Sequence, residues 1–351
     1  MINMHFKADT LDDVLRGLIP RLIKKGAQTI SSKGPAREFT SVLVELSNPT
    51  SRLSRTEDRG GVLLSSLGET LWYLSGSDCL KYIEYYIPAY RKFINASPEA
   101  VYAPGAYGPR LFGGKESQMA KLLATLKQKQ GSSDTRQAVA QIFDKSDLGE
   151  GNNDVPCTTT IQFLPRGKKL HVATTMRSND IYRGLPGDVF AFTFIQELVA
   201  RTLGLEIGIY SHFVGSLHLY NDDIAKARKY LNEGFQEPIV MPSMPKEDPW
   251  NSVKWLLDSE QAIRGGFPEP VPDNINSYWL DLARLLRIKA LYGKKDCLRQ
   301  LVRIKNEMAS PIYNAFIRGR QVMLLDSLES AQLDSIQPDL LGALSLRQVG
   351  G

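Results

Sequence analysis

Cysteine is scarce in this chain of 351 residues, and the few cysteines lie far apart. Cys79, Cys157 and Cys297 form no Cys-x-x-Cys pair, so the spacing typical of zinc sites is missing and we predict no metal site. Their odd number does not fit a set of paired disulfides either. Free thiols are typical of a reducing compartment, which favours a cytoplasmic protein.

Long apolar runs and a strong charge of one sign are also missing. No stretch approaches the ~18 apolar residues of a membrane-spanning helix, and the first residues contain no apolar signal segment. The 43 basic and 38 acidic residues leave a net charge of only +5, with the basic residues scattered. Such a balance suits an anionic small substrate as well as a nucleic acid. We therefore expect no membrane partner.

Hydrophobic spacing over residues 1–235 alternates between helical and extended patterns. Residues 9–25 show the helical type, with apolar residues three and four apart, acidic residues early and lysines late. Residues 158–164 and 170–175 are two β-rich runs that predict a hairpin. Further helices are predicted at 65–76, about 79–93, 117–129, 190–203 and 221–231, and further strands at 38–47, 137–143 and 206–214. This mixture predicts an α+β fold.

The composition changes near residue 235. Residues 236–250 hold four prolines, residues 265–273 hold three more, and residues 278–346 then show leucine-rich helical spacing. We therefore predict one domain over 1–235 and, over 236–351, a proline-rich linker followed by a helical C-terminal extension.

An ordered series of polar motifs follows Pro156-Cys157 along the chain. A lone cysteine after a proline is more often a small core residue, so the series matters more than the cysteine. It combines a possible nucleophile, an anion-binding arginine and groups that can read a base or a sugar. The motifs are Gln162-Phe163, Arg177-Ser178-Asn179-Asp180, Gly184-Leu185-Pro186 and His218-Leu219-Tyr220.

In their order and near their spacing, these motifs resemble the thymidylate synthase family over about residues 36–232. The resemblance implies a mixed β-sheet packed with helices, with the sheet at the interface of a homodimer. It also implies a pyrimidine nucleoside monophosphate as substrate, 5,10-methylenetetrahydrofolate as cosubstrate and no metal. A nucleic-acid partner is not expected from it.

The resemblance assigns the reacting groups. Cys157 is the predicted nucleophile that adds to C6 of the pyrimidine. Glu69 matches the family's Glu-x-x-Trp-x-Leu helix and is the predicted acid–base group, with a raised pKa. Tyr107, in Ala106-Tyr107-Gly108, is predicted to join the same proton relay. The alternatives are a buried core thiol, a surface glutamate and a structural loop tyrosine.

Arginines are predicted to bind the nucleotide phosphate, because guanidinium groups match its oxygens. Arg177 is the first candidate, with Ser178 assisting it. The family donates a pair of adjacent arginines from the partner subunit, and this chain keeps only Arg136 because Gln137 follows it. Another cation can therefore substitute for the missing arginine. Arg37 is a further phosphate candidate, with a solvated surface arginine as the alternative.

The remaining assignments concern the sugar and the folate. His218 and Tyr220 alternate on a predicted strand, so they face the same side, and the resemblance implies hydrogen bonds to the sugar 3′-hydroxyl. Asp180 and Gly184 match positions that contact the folate pterin and line its cleft. Gln162 is interpreted as a structural partner of the strand that follows the nucleophile.

Asp188 departs from the main family pattern. Thymidylate synthases carry an asparagine after Gly-Leu-Pro-Phe, where it reads O4 and N3–H of uracil, whereas this chain reads Gly184-Leu185-Pro186-Gly187-Asp188. A carboxylate can accept from the 4-amino group of cytosine and stabilise a protonated N3, and it repels O4 of uracil. The chain therefore resembles the (deoxy)cytidylate hydroxymethylases of the family more closely. A solvent-facing Asp188 is the alternative.

Three functions follow from these residues. The first is hydroxymethylation of CMP or dCMP, in which C5 takes a one-carbon unit from methylenetetrahydrofolate and water completes the hydroxymethyl group. The second is a divergent thymidylate synthase that methylates dUMP. The third is a nucleotide- or RNA-binding relative without turnover, which the nucleophile and acid–base group together argue against. The helical extension stands where the family has a short tail that closes over the folate.

Overall fold

The computed structural model describes residues 4–31, 33–54, 62–130, 134–149, 151, 153–234, 237–269, 271–291, 297–319, 321–322 and 325. Within these ranges the chain forms one mixed sheet covered by helices, which confirms the predicted α+β fold. No helix in this part of the chain is both long and apolar enough to cross a bilayer.

Seven strands form the sheet in the described residues. They are β1 (Met4–Ala8), β2 (Ala27–Ser31), β3 (Gly34–Leu46), β4 (Val139–Gln141), β5 (Thr158–Arg166), β6 (Lys169–Asp180) and β7 (Glu206–Tyr220). The order is β1-β3-β7-β6-β5-β4, with β2 paired to β3. Strands β6 and β7 run parallel at the centre, and β5 and β6 form the antiparallel hairpin expected from the sequence.

Helices before residue 235 pack around this sheet. They are α1 (Leu11–Lys25), α2 (Val62–Leu74), α3 (Leu80–Tyr86), α4 (Tyr90–Phe93), α5 (Tyr107–Phe112), α6 (Gln118–Lys129), α7 (Leu185–Thr202) and α8 (Ile224–Asn232). The Thr10 side chain caps α1 by accepting a hydrogen bond from the Asp13 amide. Lysines lie in the last turn, where their charge interacts favourably with the helix dipole, so both features stabilise α1. Helix α7 is apolar on nearly all sides because it is buried between α2 and the sheet.

Three expectations need correction. The helix predicted over about 79–93 is two helices, α3 and α4, because Pro88 cannot donate a backbone hydrogen bond and restricts Ile87 to a non-helical backbone. The last predicted strand continues to Tyr220. Strands β1 and β2 had no clear sequence signal. Both form by pairing with β3: β1 with residues 42–46 and β2, in a tight hairpin, with residues 34–38.

Helices after residue 235 are α9 (Trp250–Gly265), α10 (Ser277–Lys289) and α11 (Cys297–Glu307). Helix α9 lies between the two proline clusters, in the stretch interpreted as linker, with Pro249 before it and a left-handed Gly266 after it. Its buried Glu260 accepts from the Tyr86 hydroxyl at 2.8 Å. Trp250 donates its indole N–H to Thr202 at 2.9 Å. Helix α9 therefore packs directly on α3 and α7.

Candidate active site

The predicted reacting residues come from four separate elements. Cys157 immediately precedes β5, Glu69 lies in the middle of α2, Tyr107 begins α5, and Asp188 lies in the first turn of α7. The packing of α2 against both α5 and α7 brings these elements together. The four side chains are each partly exposed, although protein surrounds them on most sides.

Cys157 is held by the strand that carries Arg177. The Arg177 amide donates to the Cys157 carbonyl at 2.8 Å, and its Nε and Nη2 donate to the carbonyls of Pro156 and Val155 at 2.9 and 2.7 Å. Burial raises the pKa of the Cys157 thiol, and the positive charge of Arg177 opposes this effect. The thiol, which is the predicted nucleophile, would therefore need a base or a bound substrate to ionise.

Glu69 is hydrogen-bonded within its own helix. The Tyr73 hydroxyl, one turn further along α2, donates to Glu69 Oε1 at 2.9 Å. Burial raises the pKa of Glu69 to about 7, and the Tyr73 hydrogen bond lowers it in part. Gly187 leaves room for this carboxyl, because a Cβ there would lie 3.3 Å from Glu69 Oε2. The raised pKa expected from the sequence is present, and it suits proton transfer near neutral pH.

Asp188 is the second carboxyl at this place. Burial raises its pKa well above the ordinary value, and the negative charge of Glu69 raises it further. A hydrogen bond from the Asn179 side chain acts in the opposite direction. Two carboxyls that repel each other in a poorly solvated place do not both ionise readily. Asp188 is therefore favoured as the neutral acid.

Tyr107 links the cysteine to the acids. Its hydroxyl oxygen accepts from the Thr158 amide at 3.1 Å, next to Cys157, and its ring lies 5.0 Å from the ring of Tyr73. Burial raises the pKa of Tyr107, and the nearby charges of Cys157 and Asp188 add to the effect. The hydroxyl therefore stays protonated and can both accept and donate a hydrogen bond.

The phosphate candidate Ser178 and the sugar candidates His218 and Tyr220 lie together on the two central strands. Ser178 on β6 is 3.4 Å from His218 on β7 (Oγ to Nδ1), and the His218 and Tyr220 rings are 5.0 Å apart. Asp180 pairs with His218 in the parallel register of the two strands. The candidates for phosphate, sugar and folate on β6 and β7 therefore line one end of the sheet.

Asp180 fits the role expected for folate binding. Its Oδ1 accepts from the amides of Tyr182 and Arg183 at 2.7 and 2.6 Å. Its Oδ2 is buried and has no hydrogen-bond partner among the described residues. A buried acceptor without a donor is costly, so a ligand N–H at this position would satisfy it. At Gly184 a Cβ would lie 2.7 Å from Asn179 Oδ1, so the close approach of this side chain favours a glycine there.

Two predicted phosphate ligands lie apart from this group. The Arg136 side chain is exposed, and its backbone carbonyl accepts from Gln162 at 2.9 Å, which agrees with the structural interpretation of Gln162. Arg37 donates from Nη1 to the Gly26 carbonyl at 3.4 Å. Within the described chain, neither guanidinium hydrogen-bonds the residues around Cys157.

Several residues near the site were not identified from the sequence. Lys33, in the turn between β2 and β3, lies near enough for its charge to lower the pKa of both Cys157 and Asp154. Tyr73 could have been found from its spacing of four residues from Glu69 on a helix. Asn179 had no such signal, because its contact with Asp188 depends on the meeting of β6 and α7.

The fold agrees with the class of protein that the family comparison defines, a transferase of nucleotide metabolism. A family model described as thymidylate synthase matches residues 52–252, which is more than half of the chain. The chain belongs to the thymidylate synthase family, whose members bind a pyrimidine nucleoside monophosphate and use methylenetetrahydrofolate. The family resemblance expected from the motifs is thereby confirmed.

Curated relatives include hydroxymethylases of phages. A deoxyuridylate hydroxymethyltransferase of Pseudomonas phage M6 is 28% identical over 289 residues, covering 75% of this chain and 79% of the relative. A protein of the same name from Bacillus phage SP01 is 28% identical, covering 59% of this chain and 56% of the relative. A thymidylate synthase of Listeria monocytogenes serotype 4a (strain HCC23) is 29% identical over 33% of this chain and 36% of the relative. The chain thus spans 56% of the length of the Bacillus phage relative and 36% of the length of the Listeria relative.

Proposed function

We propose that the protein is a (deoxy)cytidylate 5-hydroxymethyltransferase that modifies C5 of CMP or dCMP. The observation that carries this proposal is Asp188, which occupies the position of the family's uracil-reading asparagine and lies beside Glu69 as a second protonatable acid. A neutral carboxyl can donate its O–H to N3 of cytosine and accept from the 4-amino group with its other oxygen. An asparagine amide at this position matches uracil instead.

The residues supply the remaining chemistry. Cys157 adds to C6, which makes C5 nucleophilic, and Glu69 with Tyr73 and Tyr107 removes the C5 proton as the new C5–carbon bond forms. Methylenetetrahydrofolate, when bound, supplies the one-carbon unit, and Asp180 and Gly184 are the residues we propose to hold it. The overall balance is nucleotide plus methylenetetrahydrofolate plus water, giving hydroxymethyl-nucleotide plus tetrahydrofolate. No oxidant or reductant is consumed.

Phosphate binding completes the proposal. The charges of Arg177 on β6 and of Lys33 in the turn before β3 both lower the pKa of Cys157, and Ser178 follows Arg177 on the same strand. We propose that Arg136, which is exposed, reaches the phosphate of the partner subunit in a homodimer, and that Arg37 supports the phosphate from β3. Lys33 then takes the place of the second arginine that Gln137 has replaced.

Hydroxymethylation of dUMP is the second candidate, because the phage relatives are named for deoxyuridylate. A neutral carboxyl can also match uracil, by accepting from N3–H and donating to O4. Methylation of dUMP, which would release dihydrofolate, and nucleotide binding without turnover remain the weaker candidates. A nucleophile and an acid–base group side by side are not needed for binding alone.

The test is incubation with CMP, dCMP, UMP and dUMP, each with methylenetetrahydrofolate, followed by mass spectrometry of the nucleotides. We expect CMP or dCMP to gain the mass of CH2O, with no rise in dihydrofolate absorbance. Gain of CH2 by dUMP would identify a thymidylate synthase and overturn the proposal, and so would gain of CH2O by dUMP alone. Cys157→Ala should abolish product, whereas Cys79→Ala, at another partly exposed thiol, should not.

A further inference from the structure

Two segments of the chain meet at the predicted nucleophile. The cysteine segment, residues 153–157, leads into β5 and ends with Cys157, and the tyrosine segment, residues 101–107, ends with Tyr107 at the start of α5. Directly after the cysteine, the Thr158 amide donates to the Tyr107 hydroxyl at 3.1 Å. The two predicted reacting residues are therefore joined through the backbone next to Cys157.

A second hydrogen bond joins the same two segments on the other side of the cysteine. Asp154 Oδ2 accepts from the Gly105 amide at 2.8 Å. The contact is close, because a Cβ at position 105 would lie 2.3 Å from the Asp154 carbonyl oxygen and 2.9 Å from its Oδ1. Only a glycine lets the two segments approach this closely. Cys157 is therefore held between two connections to the tyrosine segment, one before it and one after it.

The tyrosine segment is itself fixed next to Gly105. Arg110, in α5, donates from Nη2 to the Pro104 carbonyl at 2.8 Å. The same guanidinium pairs with both oxygens of Asp147, at 2.6 and 2.7 Å. Such a bidentate pair is rigid, so Gly105 presents its N–H from a backbone whose neighbouring residue is held in place. The hydrogen bond to Asp154 therefore constrains the cysteine segment.

The rest of the cysteine segment is held from a different direction along the sheet. The carbonyls of its last three residues all accept from Arg177, at 2.7, 2.9 and 2.8 Å; they belong to Val155, Pro156 and Cys157. These bonds tie the segment to β6. The Asp154 side chain instead ties it to the segment that carries Tyr107.

We propose that Asp154 is a positioning residue, whose carboxylate holds the Cys157 thiol and the Tyr107 hydroxyl in the mutual arrangement that the reaction needs. The inference rests on the proposed function in taking Cys157 as the nucleophile and Tyr107 as a member of the proton relay. It does not depend on which base is modified.

The charge of Asp154 is a separate influence, because it raises the pKa of Cys157. Two substitutions separate charge from position. Asp154→Asn removes the charge and keeps an oxygen that can accept from the Gly105 amide, whereas Asp154→Ala removes both. A positioning role predicts a large loss of activity in the second variant only.

The first measurement is kcat and KM of both variants for the preferred nucleotide. We expect Asp154→Ala to lower kcat about 10–100-fold with little change in KM, because a small displacement of a reacting group has a cost of this order. Asp154→Asn should stay within about threefold of the wild type, since a neutral acceptor makes a weaker hydrogen bond of the same geometry. Equal losses in the two variants, or no loss in either, would overturn the inference.

A double variant tests whether Asp154 acts through Tyr107. Tyr107→Phe removes the hydroxyl that accepts from the Thr158 amide. If Asp154 fixes the thiol relative to that hydroxyl, Asp154→Ala should cost clearly less in the Tyr107→Phe background, because the effects of coupled groups are not additive. Losses of kcat that multiply independently would show that Asp154 does not act through Tyr107.

Asp248→Ala is the matched control. Asp248 is an exposed loop acid before α9 whose carboxylate accepts from the Trp250 amide at 3.1 Å, so it makes the same kind of contact elsewhere in the chain. Its loss should leave kcat and KM unchanged. A fall in kcat as large as that of Asp154→Ala would mean that the loss of any such contact lowers activity, and the inference would be wrong.

Hydrogen exchange of the enzyme without substrate separates this outcome from that of the proposed function. The Thr158 amide should exchange about tenfold faster in Asp154→Ala than in the wild type and stay protected in Asp154→Asn. A wild-type enzyme without turnover overturns the proposed function, yet this pattern of exchange still upholds the role of Asp154 in holding the two segments. Unchanged exchange of the Thr158 amide in Asp154→Ala overturns it.

Discussion

Acids that protein surrounds on most sides occur in two kinds of surroundings in this chain. Glu197 contacts Arg52 and Arg201, Glu260 contacts Arg264, and Asp281 contacts Arg284, all where the helices after residue 235 meet the core. Glu69 and Asp188, at the candidate site, have no ion pair with lysine or arginine within the described residues. Their partners are instead a tyrosine hydroxyl and an asparagine amide.

The comparison shows what each arrangement is suited to. Asp147, another buried acid, is paired with Arg110 at 2.6 Å, and this pairing lowers its pKa, so it stays ionised. Glu69 has no such partner, and its pKa rises to about 7, so it can exchange a proton at neutral pH. Pairing with arginine keeps an acid ionised and fixes its position. An acid without such a pair can take up and release a proton near neutral pH. The location of the unpaired acids thus marks the site.

Glu69→Gln tests the unpaired side of the comparison and should have the largest effect. The amide oxygen can still accept from Tyr73, but the group no longer takes up or releases a proton. We expect kcat to fall about 10²–10⁴-fold, the usual worth of a general acid or base. The measurement is steady-state turnover of the preferred nucleotide, with tritium release from C5 as a direct readout of the proton step.

The stability of Glu69→Gln is the control. Because the change removes an unpaired buried acid, the melting temperature at neutral pH should not fall. A variant that keeps full kcat, or loses activity only through unfolding, would contradict the assignment of Glu69.

Glu197→Gln tests the paired side. Both Glu197 and Arg52 are completely buried in the pair, so removing one charge leaves the other uncompensated. We expect a loss of about 3–5 kcal/mol in unfolding free energy, with kcat per folded enzyme retained. The added change Arg52→Met should recover part of the loss, because it removes the guanidinium that the first change leaves buried without its carboxylate partner. Denaturant unfolding measures both, and an equal loss in single and double variants would refute the pairing.

Much of the fold could be predicted because its signals are local. The β5–β6 hairpin, α1 and α7 each carry their apolar pattern within a short stretch. Strand β2, with the sequence Ala-Gln-Thr-Ile-Ser, has weak signals and exists by pairing with β3. Helix α9 was not predicted, because the prolines on either side of it indicated a linker. These prolines lie outside the helix. The domain division at residue 235 stays a prediction.

The same contrast applies to the site. Cys157, Glu69 and Asp188 could be located because each lies in a short motif whose order along the chain is itself a signal. The contact of Asn179 with His212 joins residues 33 positions apart, and no spacing rule relates them. The charge of Lys33 acts on Cys157 because the fold brings β2 and β3 near this residue, which depends on tertiary structure. Motifs therefore predicted the reacting groups, and only the structure revealed what orients them.

The pH dependence of stability should have opposite signs for the two kinds of acid. The pKa of Glu69 rises from 4.5 to about 7 on folding, so its native form retains a proton that the unfolded chain has lost between these values. The contribution of Glu69 to stability is therefore greatest below pH 4.5 and decreases by up to about 3 kcal/mol as pH rises to 7. Glu69→Gln should flatten this decrease, as measured by denaturant unfolding at several pH values.

Asp147→Asn provides the opposite case. Arg110 lowers the pKa of Asp147 in the folded state, so its stabilisation is present above the ordinary aspartate range and is lost as pH falls through the folded value. The variant should be less stable than the wild type at neutral pH, and the two should converge in acid. If Glu69→Gln and Asp147→Asn changed the pH dependence of the unfolding free energy in the same direction, the distinction between paired and unpaired acids would be wrong.

Tyr73→Phe sharpens the comparison with the smallest change. The Tyr73 hydroxyl is the hydrogen-bond donor that partly lowers the pKa of Glu69, so its removal should raise that pKa further. If Glu69 acts as a base, the acidic limb of the kcat/KM profile moves to higher pH by about one unit or less, equal to about 1 kcal/mol. Tyr82→Phe, which alters a buried tyrosine near Glu260, should leave the profile in place. A shift to lower pH would mean that Tyr73 acts on a different group, because loss of a donor to a carboxylate can only favour its protonated form.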